Sequence, residues 1–450
     1  MKIAYITAGA AGSFCGSCMH DNTLVAALLA QGHEALLIPT YTPIRTDEPD
    51  VSYKRVFFGG INVYLQQKIS LFRYTPWLLD RPLDSPGLLR WVSRFAVQIE
   101  ASKLGELTVS VLQGEHGHQR KEVAKLVHWL ATEVRPEIVC LTNVLLSGMV
   151  PEMKHRLGVP VLAALQGDDI FLEGLPEPYR GQALALIRDH CRLIDGFLAS
   201  SAFYADFMAA YLSLPREHIH VVHPGIDLRG HGGPQPAPSP LPLSPSEGER
   251  GRGEGGAVRD GPPYTIGYLA RVCPEKGLHV LVEAFRLLRQ SPDAPPCRLR
   301  VSGWLGKTNL PYFDDLRRRL AEWGLADQFE YVAAPDHVSK VRFLQSLDVL
   351  SVPTVYREPK GLYVLEALAN GVPVVQPRHG SFPELIEATG GGLLVNPNDP
   401  SDLARGLRQL LEDPAHRAEL GRKGKEAVQQ KFNADVMARR TIEVFRKYLP

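Results

Sequence analysis

Strand-like and helix-like segments alternate along most of this chain, and this alternation limits the possible folds more than any other feature. It is typical of parallel sheets covered by helices on both faces. The strands predicted in the first half are Ile3–Thr7, Ala35–Pro39, 56–58, 61–65, Ile138–Leu141, Val161–Leu165, Gly196–Ala199 and His220–Val222. Those predicted in the second half are 264–269, Leu299–Ser302, Phe329–Val332, Val349–Val352, Val372–Val375 and Leu393–Val395. The first helix is predicted over Thr23–Ala30. We therefore expect an α/β protein with two doubly wound, Rossmann-like domains facing a cleft.

A change of composition separates the two halves. The stretch from Pro234 to Gly256 is dominated by proline, glycine, serine and charged residues, which cannot build a core. At 450 residues, the chain is long enough for two domains on either side of it. We expect an N-terminal domain over 1–228, a flexible insertion over 229–263 and a second domain over 264–431. The helix expected over 432–450 would cross back toward the first domain.

The charge balance gives no reason to expect an acidic partner. Fifty Lys and Arg residues against 49 Asp and Glu leave a formal charge of +1, which does not favour nucleic acid. The start reads as a strand rather than a signal peptide, and no apolar run reaches the length of a membrane span. A cytoplasmic location is therefore expected. Residues 71–95 mix aromatics with arginines, so an acceptor patch or a peripheral membrane contact stays open, but we favour ordinary helices that cover the sheet, with the aromatics inward.

Several residues that could suggest cofactor or metal chemistry have simpler interpretations. The glycines after the first strand do not fit G-x-G-x-x-G, and no acid follows the second strand, which disfavours nicotinamide binding. Cys15 and Cys18 form a single Cys-x-x-Cys, which we interpret as small residues in a tight loop. His218, His220 and His223 could suggest a metal site, but two of them, His218 and His220, share one strand face, and we expect no metal there. We expect neither a metal ion nor a cofactor.

The strongest candidate for a binding site is the stretch from Val355 to Glu366. Gly361 joins a buried strand to a helix whose N–H groups suit a phosphate, while Glu358 and Glu366 suit sugar hydroxyls. Arg271 and Lys276 follow the first strand of the same domain. In a sheet of order 3-2-1-4-5-6 the first and fourth strands are neighbours, so these charges would meet at the reversal point. The ligand that this pattern predicts is a nucleotide sugar.

The first domain offers polar candidates at the end of its fourth predicted strand. Gln166, Asp168 and Asp169 follow Leu165, at the edge where open sheets bind ligands. We regard these three residues as acceptor-side candidates. A turn with a helix N-cap is the alternative for the two acids.

At these residues the chain resembles the retaining glycosyltransferases of family 4, the group 1 transferases of GT-B fold. Glu358 and Glu366 match the family's E-x7-E motif, and Arg271 and Lys276 match its basic pair. The resemblance implies that Glu358 contacts the donor sugar and Glu366 the ribose. It also implies that the backbone of Gly361 and Leu362 meets the phosphates. The alignment of the first domain makes Gly16 a further diphosphate contact.

Some positions depart from the family pattern. Cys15 replaces the first glycine of the usual pair, and Gln166 stands where many members have histidine. Pro224 replaces the usual asparagine of Asn-Gly-Ile-Asp, and Lys360 replaces an aromatic or small residue between the two acids. Because of Gln166, the chain lacks the histidine that many members have near the acceptor.

The resemblance implies a hexosyltransferase that acts with retention of configuration and without a metal ion. Arg271, Lys276 and Glu358 would be its catalytic residues, with a nucleotide-sugar donor. The acceptor would be a sugar, a lipid-linked molecule or a small molecule. A non-catalytic nucleotide-sugar-binding protein remains an alternative, as does a GT-B epimerase or phosphorylase.

Overall fold

The computed structural model describes residues 1–9, 15–54, 56–58, 63, 66–67, 104–233 and 263–450. These residues form two compact units. The first comprises Met1–Asp227, Glu358–Leu362 and Gln430–Pro450, and the second comprises Leu228–Arg357 and Tyr363–Gln429. Each unit is described by itself.

The first unit is built on a parallel sheet of six strands in the order β2-β1-β3-β4-β5-β6. The strands are β1 (Lys2–Thr7), β2 (Glu34–Pro39), β3 (Ile138–Leu141), β4 (Val161–Leu165), β5 (Gly196–Ala199) and β6 (Ile219–Val221). Its helices are α1 (Gly16–Ala30), α2 (Gly105–Leu112), α3 (Arg120–Trp129), α4 (Val150–Leu157), α5 (Asp168–Glu173), α6 (Tyr179–Cys191), α7 (Ala202–Leu212) and, near the end of the chain, α15 (Ala434–Arg446).

Side chains of the first sheet alternate between two cores, as the period of a strand requires. Ile3 and Tyr5 of β1 lie in one cluster, which also contains buried residues of α1 and α15, such as Phe445. Ala4 and Ile6 lie in the cluster on the opposite face, with residues of α3 and α6. The strands are apolar on both faces because helices cover both.

The second unit contains a parallel sheet in the order β12-β11-β10-β7-β8-β9. Its strands are β7 (Tyr264–Leu269), β8 (Cys297–Ser302), β9 (Phe329–Val332), β10 (Val349–Leu350), β11 (Val374–Pro377) and β12 (Gly392–Val395). Its helices are α8 (Leu278–Gln290), α9 (Leu310–Glu322), α10 (His337–Gln345), α11 (Leu362–Ala369, which starts in the first unit), α12 (Phe382–Thr389), α13 (Pro400–Glu412) and α14 (Pro414–Lys431). The sheet has the predicted order, with the first and fourth strands adjacent.

Two sequence predictions in the first unit are wrong. The first helix begins at Gly16 rather than at Thr23. The three residues 56–58 are not a strand: they are buried by packing, and the Phe57 ring centroid lies 4.6 Å from that of Trp129. The strand predicted over 61–65 lies outside the described residues except for Val63, which is helical. The patch over 71–95 and most of the insertion over 229–263 also lie outside them.

The histidines near the end of the first half have other partners than a metal. His220 Nε2 lies 2.8 Å from the Tyr448 hydroxyl, and the ring of His223 packs against Phe432. Within the described ranges, His, Cys, Asp and Glu side chains form no group that could hold a metal ion. Within the same ranges, none of the helices combines the length and the apolar character needed to cross a bilayer.

Candidate functional site

The loops that follow β7 and β10 touch each other in the second unit. Strands β7 and β10 are paired, with Leu350 opposite Gly267. Beyond them, the N–H of Val355 donates to the carbonyl of Glu275 at 3.0 Å. Gly277 has φ +72°, and a Cβ there would lie 1.8 Å from the carbonyl oxygen of Pro353. Only glycine allows this approach, because both the left-handed backbone and the missing side chain are required.

Lys276 lies within this contact, one residue before the glycine that opens α8. Its ammonium donates to the Tyr356 hydroxyl at 2.5 Å. The same nitrogen lies 5.0 Å from the ring centroid of Tyr356 and 5.3 Å from that of Tyr363. Aromatic faces attract cations at such distances, so the two rings hold the charge near the start of α8.

Arg271 lies at the carboxyl end of β7 and is exposed. Its carbonyl oxygen accepts hydrogen bonds from the Tyr268 hydroxyl at 3.0 Å and from the Cys273 thiol at 3.7 Å. These bonds hold the backbone of the turn in place.

The loop before α11 has the predicted glycine hinge. Gly361 has φ +69°, and α11 begins at the next residue, Leu362. Glu358 is buried, and its Oε1 lies 3.4 Å from the backbone nitrogens of both Lys360 and Gly361. The loop thus orients this carboxylate with its own N–H groups.

Glu366 forms a buried ion pair that the sequence analysis did not predict. Its Oε1 lies 2.5 Å from the ammonium of Lys340, with side-chain exposures of 11% and 9%. Lys340 comes from α10, four residues before the buried Leu344 and next to the buried Val341. A lysine on the apolar face of a helix is the signal that could have revealed the pair, because a buried ammonium needs an acidic partner.

Gln166 lies at the centre of a polar network in the first unit. Its amide nitrogen donates to Asp21 Oδ1 at 2.9 Å and to the carbonyl of Thr142 at 3.0 Å. Its amide oxygen accepts from the ammonium of Lys360 at 2.7 Å, and Lys360 also donates to Ser17 Oγ at 2.9 Å. Burial lowers the pKa of Lys360, which neighbouring acids partly offset.

The two acids after Gln166 open α5. Asp168 is buried, and its oxygens accept from the backbone N–H groups of Val144 and Gln166, each at 2.8 Å. Asp169 accepts from the Tyr204 hydroxyl at 2.6 Å. Burial raises the pKa of Asp168 to about 6 and also raises that of Asp169. Through its two backbone hydrogen bonds, Asp168 joins the loop after β3 to the loop after β4.

The raised pKa of Asp168 predicts a specific pH dependence of stability. The folded protein keeps the Asp168 proton up to about pH 6, whereas the unfolded chain loses it near its ordinary value of 3.8. The folded state then binds more protons, so stability falls as pH rises through this window, by about 3 kcal/mol. We expect the free energy of unfolding of wild type, relative to that of Asp168→Asn, to fall by this amount as the pH rises. Urea titrations of both proteins from pH 4 to 7 measure it. Parallel profiles would contradict it.

Gly16 is the first residue of α1 and is exposed. Among the residues that the structure describes, no atom would lie within 4 Å of a Cβ built there. Cys15 precedes it as N-cap and makes no side-chain capping bond to the helix. The N–H groups of the first turn of α1 are suited to an anion.

Two family models match the chain. The model of the glycosyl transferases group 1 covers residues 256–427, and that of glycosyltransferase family 4 covers residues 107–229. The chain belongs to the group 1 glycosyltransferases of family 4. In this group 1 glycosyltransferase, the first match includes the loops after β7 and β10, and the second includes Gln166.

Individual relatives agree with this assignment. A D-inositol 3-phosphate glycosyltransferase of Pseudarthrobacter chlorophenolicus is 26% identical over 81% of this chain and 84% of its own length. The glycosyltransferase WcaL of Escherichia coli is 34% identical over 39% of this chain, and an uncharacterized glycosyltransferase of Methanocaldococcus jannaschii is 27% identical over 40%. The matches to these last two span only 43% and 44% of the relatives' lengths.

Solved structures share the fold. HepE of Anabaena, in complex with UDP, has a TM-score of 0.66 at 15% identity, covering 99% of this chain and 100% of HepE. Sucrose-phosphate synthase of Thermosynechococcus elongatus has a TM-score of 0.68 at 17% identity, with 99% of both chains covered. The fold of this group 1 glycosyltransferase is therefore GT-B.

Proposed function

We propose that this chain transfers a hexose from a nucleoside-diphosphate sugar to an acceptor hydroxyl, with retention of configuration and without a metal ion. The observation that carries the proposal is the contact between the loops after β7 and β10. It brings Lys276 against Tyr356, just before the E-x7-E segment, and against Tyr363 within that segment. Arg271 belongs to the first of these loops, so Arg271 and Lys276 both lie at the same edge of the sheet.

The cations are suited to the diphosphate of the donor. Negative charge grows on that group as the bond to the sugar breaks, and fixed cations stabilise it most at that point. Arg271 can hold two phosphate oxygens at once, whereas Lys276 acts as a point charge. Backbone N–H groups of Gly361, Leu362 and Gly16 are proposed as further phosphate contacts.

The two glutamates are suited to hydroxyl groups. Glu358 would accept from the donor sugar, since its loop already fixes its orientation. Glu366 would accept from the ribose. Lys340 occupies Oε1 of Glu366, which leaves Oε2 for the ribose hydroxyls, judged by the contacts of the described residues.

Retention fits a front-face reaction in which the acceptor hydroxyl attacks as the diphosphate leaves. A phosphate oxygen of the donor would then take the acceptor proton, so no protein nucleophile is needed. Gln166, Asp168 and Asp169 are proposed to border the acceptor. The hydrogen bonds of Gln166 would hold its amide in one orientation beside the acceptor hydroxyls.

The names of similar proteins suggest which ligands to test first. HepE has been crystallised with UDP and with UDP-glucose, and several relatives act on D-inositol 3-phosphate by name. We therefore propose uridine diphosphate sugars as the first donors. Sugars, lipid-linked sugars and small polyols, free or phosphorylated, are the first acceptors.

Donor binding and transfer can be tested separately. We expect UDP, GDP or ADP to raise the melting temperature of the protein, and the matching nucleotide sugar to release its nucleotide only with an acceptor. Proton NMR of the product should give the anomeric configuration of the donor, and EDTA should leave the rate unchanged. Binding without nucleotide release across an acceptor panel would favour a non-catalytic binding protein. An inverted product or loss of activity in EDTA would contradict the mechanism.

A further inference from the structure

Cys15 and Cys18 both lie at the start of α1. Cys15 is the N-cap, with extended backbone (φ −115°, ψ 124°), and its carbonyl accepts from the N–H of Met19 at 3.0 Å. Cys18 lies in the first turn and is 3% exposed, whereas Cys15 is partly exposed. Both cysteines are free thiols, and no disulfide joins them.

The surroundings of Cys15 favour a negatively charged sulfur. The Cys18 thiol and the Lys360 ammonium together lower the pKa of Cys15 to about 5, although burial opposes them. The contribution of Lys360 has a geometric basis, because its buried ammonium donates to Ser17 between the two cysteines. Thiolates at helix N-termini and beside lysines are the reactive form of cysteine.

Cys18 has the opposite properties. Its pKa is raised well above the ordinary value by its hydrogen bond to Cys15, by burial and by the charges of Cys15 and Asp21. One thiol is therefore partly exposed and has a lowered pKa, while its neighbour is buried and has a raised pKa. This asymmetry distinguishes an attacking thiolate from a resolving thiol.

We infer that Cys15 and Cys18 form a redox-active dithiol site that takes small-molecule or protein disulfides as its substrate. The Cys15 thiolate attacks one sulfur of the disulfide, forms a mixed disulfide and releases one thiolate. The Cys18 sulfur then attacks Cys15 and releases the second thiol, which takes the Cys18 proton. The two cysteine sulfurs lose two electrons in forming their bond, and the substrate disulfide is reduced to one thiolate and one thiol. Positions three apart at a helix start lie within reach of such a bond.

Oxidation would also change the segment that contains Gly16. A Cys15–Cys18 bond encloses Gly16 and Ser17 and replaces the anionic sulfur with a neutral one. It also removes the charge that faces Lys360. If Gly16 contacts the donor diphosphate, oxidation lowers the turnover of sugar transfer. This consequence rests on the proposed function, whereas the thiol chemistry does not.

The rate of thiol–disulfide exchange tests the site directly. At pH 6 the fraction of Cys15 present as thiolate exceeds that of glutathione, while its lower basicity makes each thiolate less nucleophilic. The two effects together predict a reaction with an aromatic disulfide about tenfold faster than that of glutathione. Cys15→Ser should abolish the fast phase, and Lys360→Met should slow it. A rate at or below that of glutathione would overturn the inference.

Mapping the oxidised protein identifies the bond. After incubation with oxidised glutathione, mass spectrometry should find Cys15 joined to Cys18 in wild type and a stable glutathione adduct on Cys15 in Cys18→Ser. Cys140, Cys191, Cys273 and Cys297 serve as internal controls, because burial raises the pKa of each. The site would be refuted if these four control cysteines reacted as readily as Cys15, or if no Cys15–Cys18 bond formed. A bond that leaves nucleotide release unchanged would refute only the effect on turnover.

Discussion

Replacing Lys276 by alanine is expected to lower kcat of sugar transfer by roughly 100- to 1,000-fold. The ammonium lies at the start of α8, where the helix and the lysine both favour negative charge. That charge is greatest in the transition state, as the diphosphate leaves, so the loss should appear in kcat more than in KM. Steady-state kinetics with the donor identified by thermal stabilisation measure both constants.

Two further variants separate charge from structure. Lys276→Arg keeps the positive charge and should recover part of the rate. Tyr356→Phe keeps the ring beneath the ammonium and removes only the hydroxyl that accepts from it, so its effect should be much smaller. Lys423→Ala, at an exposed lysine paired with Glu419, is the matched control. A wild-type rate in Lys276→Ala, with the fold intact by circular dichroism, would contradict the role of Lys276 in transfer.

Local patterns in the sequence were enough to predict the sheet of the second unit. Each apolar run there is short and flanked by turn residues, and right-handed crossovers leave few possible strand orders. The neighbouring positions of β7 and β10 followed from the predicted order, and so did the meeting of the loops after them. The start of α11 at Leu362 followed from Gly361 and from the apolar periodicity after it.

The start of α1 could not be predicted in the same way. Its first turns carry His20, Asp21 and Asn22, which break the apolar periodicity and look like loop residues. Asp21 is nevertheless fully buried, because Gln166 and the hydroxyls of Thr7 and Thr142 donate to it. Those donors come from the ends of other strands, so only the folded sheet makes a helix of this segment favourable.

Long-range ion pairs and networks were missed for a related reason. Lys340 and Glu366 are 26 positions apart, and Lys360 and Gln166 are 194 apart. The sequence marked Lys360 as an unusual residue between the two glutamates, but gave no means of finding its partner. Side-chain partners at such separations depend on how helices and loops pack, which periodicity does not specify.

The pair of Lys340 and Glu366 provides the second large prediction. Lys340→Met should destabilise the second unit by about 3–5 kcal/mol, because it leaves the Glu366 carboxylate buried beside an apolar side chain. Replacing both residues, by Lys340→Met with Glu366→Gln, should recover most of that loss, since no buried charge is left unpaired. Urea unfolding measures the free energies, and hydrogen exchange in α10 and α11 reports the second unit specifically.

Donor binding should not recover with stability. The double variant lacks the carboxylate proposed to accept from the ribose, so its affinity for the nucleoside diphosphate should remain roughly 10- to 100-fold below wild type by calorimetry. Stability and affinity would then separate, which a purely structural ion pair would not allow. If the double variant regains both, Glu366 only supports the packing of α11 against α10, and the ribose contact belongs to another residue. If Lys340→Met is as stable as wild type, the Glu366 carboxylate does not need Lys340 as a partner, and the predicted loss of stability is wrong.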